Sequence, residues 1–284
     1  MINHLVIIGV GSIGASLGLA LRREGFVQKV TGVGRGVENL KIAQQRGAID
    51  EYNTDAEAAV ANADMVFLAV PMGTMRAAML SIKDSLPANA IVTDGGSTKG
   101  SVIKDFAEVF GSTTQFVPGH PIAGTEKSGA AAAIHDLYNG KRVLLTPDAA
   151  TNAEALNVVR EMWQAAGANV EEMSAEHHDT VLAATSHLPH MLAFGLVDSL
   201  AKMDDVDEIF KYAAGGFRDF TRIASSDPTM WRDICVNNRE ALMASMDRYL
   251  DDMKEIYAAV DAGDADKLQE IFSTAKATRD KFCS

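Results

Sequence analysis

The sequence is poor in cysteine, in basic charge and in long apolar runs. Cys235 and Cys283 lie far apart and in no metal-type spacing. They read as two reduced thiols, and neither a disulfide framework nor a metal site is expected. The 38 acidic residues outnumber the 26 basic ones, for a formal net charge of −12. Binding to nucleic acid or to an anionic membrane demands basic patches, so neither is expected as a partner. An anionic small substrate needs only a local cluster of Arg, Lys or His. No unbroken apolar run reaches the roughly 18 residues of a membrane span. No basic region or cleavage pattern opens the chain, so no signal peptide is expected, and the cytoplasm is the expected location.

What is present is an ordinary globular balance, 47% hydrophobic and 23% charged over 284 residues. That length suits two domains. The first half alternates strands and helices. His4 to Ile8, Val30 to Val33, Met65 to Val70, Ala90 to Asp94, Phe116 to Pro118 and Arg142 to Thr146 read as strands, and Val37 to Arg46 as a helix ending at Gly47. The alternation predicts an α/β domain with a doubly wound, mainly parallel sheet. From about Ser174 onward the pattern is helical. The expected division is residues 1–172 and 173–284. Ala183 to Leu200 is apolar almost all round, so a homodimer interface is expected to cover it.

The first chemical signal is Gly9-Val10-Gly11-Ser12-Ile13-Gly14, between a strand and a helix. In that context the pattern suits a dinucleotide. Gly9 permits the turn, Gly11 lets the backbone approach a pyrophosphate, and Gly14 lets helix and strand pack closely. Ser12, Ile13 and Val70 are further candidate contacts. About 20 residues on, where an acid would bond the ribose of NAD, stand Gly34 and Arg35. No carboxylate there repels a 2′-phosphate, and Arg35 can pair with one. The reading leans to NADP, with Glu38 keeping NAD open.

Other candidates lie downstream. His120, between Gly119 and Pro121, is expected in a loop at a strand's C-terminal end, where it suits proton transfer or simply shapes the loop. Ser97, in Asp94-Gly95-Gly96-Ser97-Thr98-Lys99, is either a hydrogen-bond donor to ligand or a helix cap with Lys99 in solvent. His187 and His190 share a helix face, with His177 and His178 near in sequence. No carboxylate or cysteine stands at ligand spacing beside them, so no metal is expected. Arg218 and Arg222 flank Asp219 and either bind carboxylates or form surface ion pairs.

Three ordered segments together resemble the prephenate/arogenate dehydrogenase family of tyrosine biosynthesis: His120-Pro121-Ile122-Ala123-Gly124-Thr125-Glu126, Ser186-His187-Leu188-Pro189-His190, and Gly216-Phe217-Arg218-Asp219-Phe220-Thr221-Arg222. The resemblance spans nearly the whole chain. It implies a Rossmann domain followed by an all-α dimerisation domain, and oxidative decarboxylation of prephenate or arogenate with NAD(P). It also implies that His120 is the catalytic histidine and Ser97 its hydrogen-bonding serine. His190 and Arg222 would then bind substrate, with Glu126, His187 and Asp219 in support. The competing readings are another two-domain dehydrogenase of the β-hydroxyacid type and a dinucleotide sensor without turnover.

Overall fold

The computed structural model of the chain describes residues 1–124 and 127–282. Six strands form one parallel sheet: β1 (Ile2–Ile8), β2 (Val27–Val33), β3 (Glu51–Asn53), β4 (Met65–Leu68), β5 (Ile91–Asp94) and β6 (Phe116–Val117). Their order is β3-β2-β1-β4-β5-β6. Strands buried on both faces must be apolar throughout, and Leu5, Val6, Ile7, Val66, Phe67 and Leu68 have no exposed surface. The crossover helices α1 (Ser12–Arg23), α2 (Val37–Gln45), α3 (Ala56–Val60), α4 (Met72–Leu80) and α5 (Gly100–Phe110) cover the sheet. The strand order reverses between β1 and β4, so a crevice opens beyond their C-terminal ends.

A second, smaller sheet follows. β7 (Gly119–Pro121) pairs antiparallel with β8 (Arg142–Leu145), which pairs parallel with β9 (Asn169–Glu172), and α6 (Ala153–Ala165) connects the last two. Trp163 of α6 packs edge-on against Phe67 at 5.6 Å and Tyr138 at 5.1 Å. The chain then turns helical. Ser174 caps α7 (Ala175–Leu182) by accepting a hydrogen bond from the His177 amide. A π-helical segment, Ala183–His187, joins α7 to α8 (Leu188–Ala201). Then come α9 (Val206–Lys211), α10 (Gly215–Thr221), a 3₁₀ turn at Arg222–Ser225, and α11 (Pro228–Asn237). The architecture is a Rossmann domain followed by helices.

By packing, the chain separates into two units, Met1–Asn238 and Arg239–Ser284. The first holds both sheets and the helices through α11. The second holds α12 (Arg239–Asp261) and α13 (Ala265–Phe282). Within it, Asp264 accepts a hydrogen bond from the Lys267 amide at the start of α13.

Four details differ from the sequence reading. β3 and β9 were not foreseen, because both are short, polar edge strands without an apolar run. His120 lies in β7 rather than in a loop. Lys99 is fully buried rather than in solvent. The continuous helix Ala175–Ala201 is long and apolar enough to cross a membrane by length and composition alone. Counting unbroken apolar residues misses it, because histidines, Asp179 and Pro189 interrupt the run.

Candidate active site

The glycine loop leaves β1 and enters α1. Gly9 has φ +96°, and a Cβ there would sit 2.3 Å from the Ala69 carbonyl oxygen and 2.9 Å from a Val70 methyl. Only glycine fits that turn without displacing backbone. A Cβ on Gly11 would meet nothing within 4 Å, so this side of the loop is open. Gly11 caps α1 with no side-chain bond, and no acid occupies the first turn. The free amides and positive end of α1 therefore face a space suited to a phosphate. Beside it lies a cleft of about 550 Å³ lined by Gly9, Val10, Gly11, Gly34, Arg35, Gly36, Asn39 and Leu40. Its chemistry fits a dinucleotide: glycine backbone, one guanidinium and no carboxylate. Glu38 is turned to Lys41 at 2.8 Å. Asn39 braces the loop, donating to the Val10 carbonyl at 2.7 Å and accepting from the Ala130 amide at 2.8 Å. Tyr138 donates to the Ile13 carbonyl at 2.6 Å.

The strand-end loop after β5 carries Ser97. It meets the glycine loop near Gly95, where a Cβ would lie 3.6 Å from Ile13. A buried ion pair ties this loop to β7. Lys99 Nζ donates to Asp94 Oδ2 at 2.5 Å and to the Gly119 carbonyl at 2.6 Å. Asp94 in turn accepts from the amides of Gly96 and Gly119. His120 is thus held next to the Ser97 loop. Burial pushes the His120 imidazole well below its ordinary pKa, aided by the charges of His178, Lys99 and His187. It is neutral at pH 7 and fit to accept a proton.

Behind His120 stands α7. His120 Nδ1 lies 2.9 Å from His178 Nε2, and His178 Nδ1 lies 2.8 Å from Asp179 Oδ1. Asp179 also accepts from the amides of Lys99 at 2.8 Å and Gly100 at 2.9 Å. Burial alone would raise the Asp179 pKa, but His178 and these amides outweigh it and hold the carboxylate ionised.

The helical wall brings in the other histidines. His187 is buried, and burial together with His178 and His190 pushes it down to about 4 against an opposing pull from Asp179. Asn238 bridges the His187 ring nitrogen Nδ1 at 3.0 Å and the Asp179 carbonyl at 2.8 Å. His190 is half-buried and stacks on Trp231, ring centroids 3.6 Å apart. Burial lowers its pKa, the hydrogen bond to the Ser186 carbonyl at 2.8 Å opposes this, and the positive charge of Arg222 lowers it further. Arg222 and Asp219 are exposed on the 3₁₀ turn and on α10. Glu126 lies outside the described residues. Among the described residues, no three His, Cys, Asp or Glu side chains are grouped to hold a metal ion.

The comparisons with known proteins agree with this geometry. Residues 17–172 match the family model described as prephenate dehydrogenase, nucleotide-binding domain, and residues 174–274 match prephenate dehydrogenase, dimerization domain. The chain belongs to the prephenate dehydrogenase family. It is 36% identical to the cyclohexadienyl dehydrogenase of Zymomonas mobilis, over 98% of this chain and 95% of that protein. It is 34% identical to the prephenate dehydrogenase of Bacillus subtilis, over 99% of this chain and 76% of that one. Among solved structures it is similar to a prephenate dehydrogenase from Aquifex aeolicus, crystallised with hydroxyphenyl propionate and NAD+. That match has a TM-score of 0.92 and 39% identity, covering 99% of this chain and 98% of the other. The chain is an oxidoreductase of this family and binds a nicotinamide dinucleotide.

Several residues of the site escaped the sequence reading. Asn39, Asp94, Lys99, His178, Asp179 and Asn238 acquire their roles largely from contacts distant in sequence, across as many as 91 positions. His177 and His178 were noted only as lying near His187 and His190 in sequence, with no role for either, and Asp179 carried no signal of its own.

Proposed function

We propose that this chain catalyses the oxidative decarboxylation of prephenate, arogenate or both, giving 4-hydroxyphenylpyruvate or tyrosine, in tyrosine biosynthesis. The observation that carries this reading is neutral His120, tied by Lys99 to the Ser97 loop, which itself abuts the dinucleotide loop at Ile13. A nicotinamide bound in the cleft would accept hydride from the substrate carbon bearing the ring hydroxyl. His120 takes the hydroxyl proton, and Ser97 orients that oxygen. Loss of CO₂ then restores an aromatic ring, which makes the reaction practically irreversible. Arg222, with His190, holds a substrate carboxylate and fixes the ring in place. His187 and Asp219 support that wall, and Glu126, outside the described residues, is proposed as a further substrate-binding residue.

The cofactor is proposed to be NADP, because Arg35 lines the cleft while Glu38 pairs outward with Lys41. The division of labour is proposed to run from dinucleotide binding in residues 1–172 to substrate closure and pairing in residues 173–284. Only 22% of the most apolar stretch of Ala175–Ala201 is buried within one chain. A second copy of the chain is the proposed cover, and the cytoplasm is the proposed location. The test is to mix the purified protein with NADP or NAD and with prephenate or arogenate, and to follow absorbance of the reduced dinucleotide. A rising trace with either acid is expected. Flat traces with both, despite dinucleotide binding, would favour the sensor reading.

A further inference from the structure

His178 and Asp179 do not line the cleft, yet they line up behind His120. The hydrogen bonds of that line couple the tautomers of its two histidines. Asp179 is ionised and can only accept, so His178 Nδ1 carries the proton of the 2.8 Å bond. With that proton on Nδ1, His178 offers Nε2 as the acceptor to His120 Nδ1 at 2.9 Å. His120 Nδ1 must donate that bond, which leaves its Nε2 bare. One tautomer of His120 is selected, the one whose lone pair points away from α7. We propose that His178 and Asp179 are positioning residues that fix the tautomer of His120 and stabilise its protonated form during turnover.

This inference rests on His120 being the base. The chemistry of the reaction makes such support necessary. The O–H bond of the substrate breaks and an Nε2–H bond forms on His120. Hydride leaves the adjoining carbon, CO₂ departs, and the electron pair of the broken C–C bond generates a phenolate oxygen. That oxygen recovers the proton from His120, so the net reaction releases none. The site must therefore keep the proton on loan rather than pass it to water. An imidazolium held for that interval is unfavourable where burial, His178, Lys99 and His187 already oppose it. Through His178, the Asp179 carboxylate supplies a negative charge aligned with the Nδ1–H bond. The Asp94 carboxylate, on the Ser97 side of His120, is already engaged by Lys99. The same logic operates where an aspartate orients a catalytic histidine, with one more imidazole interposed here.

Asp179 does a second task. By accepting from the amides of Lys99 and Gly100 it sets the position of the loop that carries Ser97. The base and the orienting hydroxyl are thus referenced to one carboxylate on α7.

The test uses the full chain and three variants, His178→Leu, His178→Gln and Asp179→Asn, each first checked for retained dinucleotide binding. His178→Leu is expected to lower kcat by about 100-fold, within the range of orienting groups in acid–base sites, with substrate KM changed by no more than a few fold. His178→Gln offers an amide oxygen to His120 Nδ1 and is expected to recover part of that loss. Asp179→Asn removes the counter-charge, so the acidic limb of the kcat/KM–pH profile is expected to move to lower pH. Wild-type kcat in His178→Leu would overturn the proposal. So would equal losses in the Leu and Gln variants together with an unmoved pH limb in Asp179→Asn, since that pattern marks simple packing. Full turnover in His120→Asn would instead overturn the reading of the site itself.

Discussion

Lys99 Nζ lies 2.5 Å from Asp94 Oδ2, and neither side chain has any exposed surface. Removing one member of such a pair leaves an unpaired charge in the interior, at a cost of about 3–5 kcal/mol. Lys99→Met is therefore expected to lower the urea midpoint markedly and to reduce kcat, because the tie from the Ser97 loop to Gly119 is lost as well. Asp94→Asn combined with Lys99→Met is expected to be more stable than Lys99→Met alone. Urea unfolding of both variants checks this.

Arg35 lines the dinucleotide cleft, and the nearest acid, Glu38, points to Lys41. A guanidinium–phosphate hydrogen bond is worth about 1.5–3 kcal/mol, which corresponds to roughly tenfold to hundredfold in affinity. Arg35→Ala is expected to raise the KM for NADP by that factor and to leave the KM for NAD nearly unchanged. Steady-state kinetics with both dinucleotides decide it. Equal changes for the two would remove Arg35 from the 2′ position.

The buried histidines make stability depend on pH. His187 is held down to about 4 from an ordinary 6.5, and His120 is shifted the same way. The unfolded chain binds protons near 6.5 that the folded chain refuses until about 4. The stabilisation is complete above about 6.5, declines as pH falls through that window, and is lost below the folded value. Each such histidine adds a slope of up to about 1.4 kcal/mol per pH unit. Unfolding free energy is expected to fall between pH 6.5 and 5, and less steeply in His187→Gln than in the wild type.

The parts of this site that the sequence made legible are those whose chemistry is local. The glycine loop needs only a strand before it and a helix after it, and Gly9, Gly11 and Gly14 fall within six consecutive residues. Five apolar runs announced all of the main sheet but β3, because a strand buried on both faces must be apolar throughout. The supporting residues were not legible in the same way. Lys99 looks like any solvated lysine until β7 brings the Gly119 carbonyl to it, and Asp179 looks like an ordinary helix acid until the Lys99 and Gly100 amides meet it. Edge strands β3 and β9 are polar because one side faces water, so no apolar pattern marks them. Arg222 and His190 are 32 positions apart, and only the packing of the helices makes the charge of one act on the other.

The central claim is that His120 removes the proton of the substrate hydroxyl, and His120→Asn tests it most directly. The side chain is nearly isosteric but cannot act as a base. Dinucleotide binding is expected to be retained, while kcat with the better of prephenate and arogenate falls by about 10²–10⁴-fold, the usual weight of a general base. A kcat equal to that of the wild type would contradict the account.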